Sequence, residues 1–244
     1  MARRIPRLPG DRLFILVVAI STLGLTVLRT RSADNVTRWW IPAFEGCVLL
    51  RAAFPLRPWN SSRTHLLSAL GFCLTGDVLI NWTPWGNGCI AFFAITHLNL
   101  LWIFVHLRRP RGADVPIALP GFLVSAVVLA GVLPSLSKAW MPWVLGVYLL
   151  LLDAMLWRAL ALVPSPVPGG GRLLAAGAVL FFATDHLVVL QIFKPATAWV
   201  VWTWICYPPA LALLALSARC LGKRGRGGLE GDLTPLRAGS LSES

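Results

Sequence analysis

The chain has 244 residues, 57% of them in the AVILMFWYC class and only 13% charged, with a mean hydropathy of +0.71. Soluble domains hold about 45–50% apolar residues and about 25% charged ones, which excludes an ordinary soluble enzyme, a disordered chain and a collagen-like fibre. The net charge of +12 does not point to nucleic acid, because the arginines flank apolar runs where anionic lipid headgroups meet them.

A helix needs about 20 apolar residues to cross the hydrocarbon. Eight runs approach that length: 13–28, 39–54, 65–82, 87–107, 114–134, 140–162, 172–192 and 196–218. The predicted fold is therefore all-α, a polytopic bundle of eight membrane helices over residues 1–218. Residues 219–244 are polar and Gly-rich and read as a short disordered tail. The second run is the weakest, being short and carrying Glu45 and Arg51. Basic residues precede the first run as in a signal peptide, but no small-x-small cleavage site follows Leu28, so it reads as an anchor. The connections are turn-formers, such as Pro55-Leu-Arg-Pro58, Thr83-Pro-Trp-Gly86 and Pro164 to Gly171.

Eight spans put both termini on one side. If that side is the cytoplasm, it collects 17 of the 22 basic residues, as the positive-inside rule requires. The expected topology is N-in, C-in. Asn35-Val-Thr37 is then a glycosylation sequon on the outer side, whereas Asn60-Ser-Ser62 faces the cytoplasm. The five cysteines fall one per segment without a CxxC pair, so they read as small buried hydrophobes rather than a disulfide framework or zinc site.

Ionisable groups inside a membrane are costly and are the natural functional candidates. Glu45, Asp77, Asp153, Asp185, His97 and His186 qualify. Counting from the cytoplasmic ends of their helices, Asp77 lies roughly 18 Å deep and Asp185 roughly 20 Å deep. From the opposite side, His97 lies about 14 Å in and Tyr207 about 17 Å in. Four polar groups from four helices thus converge on one layer. Asp153, five residues before Arg158, is expected to form a structural ion pair with it. Glu45 is expected to pair with Arg51 or to snorkel out of its short helix. The segments around Asp77 and Asp185 share a small-apolar pattern at an offset of 108 residues, which hints at a parallel repeat of two four-helix halves.

Thr75-Gly76-Asp77, then Gly88, Phe92 and Ala94-Ile-Thr-His97, then Leu180-Phe-Phe-Ala-Thr-Asp185 with Phe193 and Pro195, resemble the YhhN family of lysoplasmalogenase-like transmembrane proteins. Tyr148 with Ala154-Met-Leu-Trp-Arg158 is similar to that family's sixth span, and the likeness covers about residues 40–218. The resemblance implies hydrolysis of the vinyl ether bond of lysoplasmalogens to a fatty aldehyde and glycerophosphoethanolamine or glycerophosphocholine. It implies Asp77 and Asp185 as catalytic residues, with His97, Tyr207, Tyr148 and Gly76 lining the site. It implies no metal and no cofactor, and a lysophospholipid among membrane lipids as the partner. The location implied is the endoplasmic reticulum for a eukaryotic chain or the inner membrane for a bacterial one.

The chemistry suits two carboxyls. Protonation of the outer alkene carbon gives an oxocarbenium ion that water captures, and glycosidases meet the same demand with one acid and one carboxylate. Four features depart from the family pattern: Asn99-Leu100-Leu101 after His97, Cys206-Tyr207-Pro208-Pro209 in the last span, Glu45 in the second, and Asp153 at an apolar position. The prolines are expected to kink the last helix. The alternative reading is a catalytically silent lipid-binding or regulatory relative of the same fold.

Overall fold

A backbone inside hydrocarbon must satisfy its N–H and C=O groups within its own segment, so apolar runs of this length fold as helices. The computed structural model describes residues 10–31, 34–54, 60–82, 88–108, 111–163 and 170–221. Its helices are α1 (Asp11–Thr30), α2 (Asp34–Ala53), α3 (Ser61–Trp82), α4 (Cys89–Leu107), α5 (Leu119–Val132), α6 (Met141–Leu160), α7 (Gly170–Phe193) and α8 (Thr197–Leu221). Short 3-10 segments at Gly112–Ala118 and Leu133–Ser135 flank α5. Among the described residues there is no strand.

Seven of the eight helical regions are long and apolar enough to cross a membrane: α1, α3, α4, the stretch Asp114–Ser135 that contains α5, α6, α7 and α8. This is a multi-pass membrane protein. The exception is α2, which spans 20 residues but carries Asp34, Arg38, Glu45 and Arg51. Helix α8 runs to Leu221, three residues past the expected boundary at 218. The rest of the proposed tail lies outside the described residues.

The outer faces are apolar, as a lipid-exposed surface must be. Leu16 and Leu23 on α1, Leu119, Leu123 and Val127 on α5, and Trp143, Val147 and Leu150 on α6 are exposed. Inside, Leu100, Phe104, Leu152, Met155, Leu174 and Phe181 are buried. Helix α7 packs most extensively on α8, and α3 on α4. Close approach of α7 and α8 depends on Gly177, where an added Cβ would lie 3.2 Å from the Ala210 carbonyl oxygen and 3.0 Å from Leu214. Small residues do this at membrane helix interfaces, where packing rather than hydrophobicity drives association.

Two polar devices fix the ends. Asn60 accepts from the Arg63 N–H at 2.9 Å, capping α3, and donates to the Leu221 carbonyl at the end of α8 at 2.6 Å. Buried Arg63 donates to the carbonyls of Ala52 and Ala53, which the end of α2 leaves without intrahelical partners. Inside α2, Pro42 has no N–H to offer the Arg38 carbonyl, and the Trp82 indole fills that vacancy at 3.2 Å. Pro208 and Pro209 do not interrupt α8, which remains helical across them.

Two expected ion pairs are replaced. Arg51 pairs with Asp11 on α1, not with Glu45. Arg158 stays with Asp114 at 3.7 Å and with the Arg108 carbonyl, while Arg108 binds Asp114 at 2.8 Å. Asp153 instead accepts from Ser125 at 2.8 Å, and the same hydroxyl lies 2.9 Å from His186 Nε2. Asp153 and Arg158 are five residues apart, so they project from different faces of α6. Arg158 reaches the helix end, and Asp153 turns toward α5 and α7.

Candidate active site

Helices α3 and α7 each bring one aspartate into the middle of the bundle, and other helices supply its partners. Asp185 Oδ2 on α7 accepts from the Tyr148 hydroxyl of α6 at 3.1 Å. His97 of α4 places Nε2 at 2.8 Å from the same oxygen and 3.1 Å from the Tyr148 hydroxyl. In the tautomer with its proton on Nε2, the imidazole donates to that oxygen. The other ring nitrogen, Nδ1, lies 3.3 Å from the Met155 sulfur. His97 is fully buried, so its orientation is fixed from both sides.

Asp77 on α3 is contacted through Oδ2 by the hydroxyl of Tyr207 on α8. That hydroxyl also lies 2.6 Å from Glu45 Oε1 on α2 and 3.1 Å from Cys73 Sγ. Cys73 and Asp77 are four residues apart and share one face of α3. The Phe181 ring stands between the two groups, with centroids 5.2 Å from His97 and 6.2 Å from Tyr207. Asp77 and Asp185 are close enough for their charges to interact.

The four groups predicted to converge do so as two units, Asp77 with Tyr207 and Asp185 with His97, and Tyr148 joins the second. Gly76 is buried and faces α4, where a Cβ would lie 3.1 Å from the Phe93 ring. Its position is one of helix packing beside the aspartate. Glu45 is the residue that sequence reasoning placed elsewhere. It is 3% exposed and sits in the Asp77 unit. A depth count finds it: Glu45 lies about 9 Å along its apolar run from residue 39, and Asp77 about 8 Å along its own run from the adjoining end at residue 82.

Donor atoms of Glu45, Cys73 and Asp77 lie within 4.8 Å of one another, a spacing that a cation can bridge. The Tyr207 hydroxyl is already within hydrogen-bond reach of all three. A separate, mostly apolar groove of about 470 Å³ opens between α2 and α3, lined by Leu49, Leu50, Ala53, Thr64, Leu67 and Ser68. Ser68 is roughly 13 Å along α3 from Asp77, so the groove does not contain the carboxyl cluster.

The arrangement defines a polytopic helical membrane protein with two hydrogen-bonded aspartates in a buried layer. Residues 37–218 match the YhhN family, and the chain belongs to it. It is also 27% identical to lysoplasmalogenase TMEM86A of Bos taurus over 170 residues, covering 66% of this chain and 68% of that protein. No solved structure matches.

Proposed function

We propose that this chain is a membrane-embedded hydrolase that cleaves the vinyl ether bond of lysoplasmalogens, with Asp77 and Asp185 as its catalytic pair. One observation carries the reading: the chain has only two tyrosines, and each donates to one of these two aspartates. Family membership and the name of the bovine relative support it. Eight spans with both termini cytoplasmic, in an endoplasmic reticulum or bacterial inner membrane, complete the proposal.

In this mechanism Asp77, in its protonated form, delivers a proton to the outer alkene carbon. The resulting oxocarbenium ion is stabilised by Asp185, which accepts from Tyr148 and His97 in the acceptor-only role of a carboxylate. Water adds to the cationic carbon and passes a proton to Asp185. The hemiacetal then collapses, Asp185 returns that proton to the departing glycerol oxygen, and the hemiacetal hydroxyl proton goes to Asp77. Atoms and charge balance, and one water is consumed. Carboxyl acid catalysis of this kind contributes about 10²–10⁴ in rate. The apolar groove between α2 and α3 suits the alkyl chain.

The test is incubation of purified protein with lysoplasmenylethanolamine and mass spectrometry of the products. Fatty aldehyde and glycerophosphoethanolamine are expected. Lipid binding without aldehyde release from any lysoplasmalogen would favour the silent lipid-binding relative instead.

A further inference from the structure

Glu45 poses a problem of proton count. Its carboxyl is buried, Oε1 lies 2.6 Å from the Tyr207 oxygen, and Oε2 has no hydrogen-bond partner. The same Tyr207 oxygen touches Asp77. A phenol has one proton and can satisfy one carboxylate. If Glu45 and Asp77 were both anions, one contact would set a carboxylate against a lone pair. Two negative charges would also be buried together inside the membrane, which is costly.

The charged and titratable groups facing this pair are few. Helix α3 supplies Cys73, helix α8 supplies Tyr207 and helix α7 supplies Asp185, while Arg29 of α1 acts on Asp77 from beyond Asn81, to which it donates at 2.6 Å. The contacts are satisfied when the unit carries one additional proton. Glu45 then donates to the Tyr207 oxygen, and Tyr207 donates to Asp77. Oε2 becomes the carbonyl oxygen of a neutral acid, for which a missing partner costs far less than for an anion.

We infer that Glu45 is the proton source for Asp77, acting as a positioning residue through Tyr207. This rests on the proposed hydrolase reading for its catalytic consequence, but not for the proton itself. Moving both protons one step along the chain turns Glu45-H, Tyr207 and Asp77 carboxylate into Glu45 carboxylate, Tyr207 and Asp77-H. After Asp77 protonates the alkene carbon, the proton released on hemiacetal collapse returns through Asp77 and Tyr207 to Glu45. No bond other than O–H changes in the relay, and no net proton is gained or lost. The relay also separates the roles of the aspartates: Asp77 has a proton supply, and Asp185 has two donors.

The test uses full-length protein in nanodiscs and two readouts. By infrared spectroscopy, wild type shows the carbonyl stretch of a protonated carboxyl, and Glu45→Gln removes it. In aldehyde-release assays, Glu45→Gln lowers kcat by about 10²-fold or more, leaves KM near the wild-type value and displaces the limb of the pH profile that reports the acid. Glu45→Asp restores part of the rate, and Tyr207→Phe is no worse with Glu45→Gln added. Retention of the infrared band in Glu45→Gln would overturn the inference. So would an active enzyme whose kcat and pH profile ignore the substitution. If wild type releases no aldehyde, the hydrolase reading fails, and the infrared arm alone still decides whether Glu45 holds the proton.

Discussion

At the residue scale, Tyr148 and Tyr207 give the two aspartates unlike surroundings, and the expected phenotypes follow from them. Asp77→Asn and Asp185→Asn should each abolish aldehyde release, because an amide supplies neither a transferable proton nor a negative charge. Both variants should keep their fold, since Asn is isosteric, and the double variant should cost little beyond either single one, as groups acting as a unit are strongly non-additive. Asp153→Asn is the internal control. Asp153 meets Ser125 rather than the site, so its amide should keep most of the activity. Near-normal turnover in either central variant would remove that aspartate from the mechanism.

The aspartates, His97 and Tyr207 were legible in the sequence because depth along a helix is simple arithmetic, whereas Tyr148 came from the family resemblance alone. Glu45 was not legible, because the nearest arginine in sequence suggested a partner within its own helix. The structure gives that arginine to Asp11, 40 residues away. Asp153 misled for the same reason. Local spacing shows which residues can meet on one helix, while the choice among distant partners depends on how helices rotate against one another.

At the scale of elements, the polar triangle of Ser125, Asp153 and His186 pins α5, α6 and α7 together. His186 Nδ1 donates to the Phe182 carbonyl at 2.8 Å, which leaves Nε2 facing Ser125. Ser125→Ala should strand two buried polar groups and destabilise the bundle by about 1–3 kcal/mol. A detergent-denaturation midpoint measures this, and an unchanged midpoint would show that the triangle contributes nothing to packing. Gly177 offers a second check. Its substitution by Leu should overpack the α7–α8 contact at a cost of about 1–3 kcal/mol, read as loss of monodisperse protein on size-exclusion chromatography. The two prolines in α8 were expected to kink it, and helix α8 remains helical across both of them while packing along α7.

At the scale of the molecule, the 17-to-5 distribution of basic residues predicts that tags at both ends are reached by antibody only after permeabilisation of the plasma membrane. One accessible end and one protected end would reject an even number of spans. The helix count was legible from apolar run lengths, although α2 is helical without the hydropathy of a free-standing span. The two most closely packed neighbouring pairs, α3 with α4 and α7 with α8, stand four helices apart, at the offset that carries Asp77 to Asp185. Within each half the aspartate takes one partner from the preceding helix of its own set. Glu45 reaches the Asp77 unit from α2, and Tyr148 reaches Asp185 from α6. The remaining partner is exchanged: Tyr207 crosses from the second half to Asp77, and His97 crosses from the first half to Asp185.

That exchange gives the order of synthesis a chemical meaning. When α1 to α4 have left the ribosome and α5 to α8 have not, Asp77 lacks its phenol and His97 its carboxylate, and both are polar groups in hydrocarbon without their partners. Arrival of the last helix supplies the first of these partners, because Tyr207 lies five helices downstream of Asp77 in chain order and yet next to it in space. The polar layer is completed only when α8 joins the bundle, and a chain truncated before α8 would leave Asp77 without its Tyr207 contact.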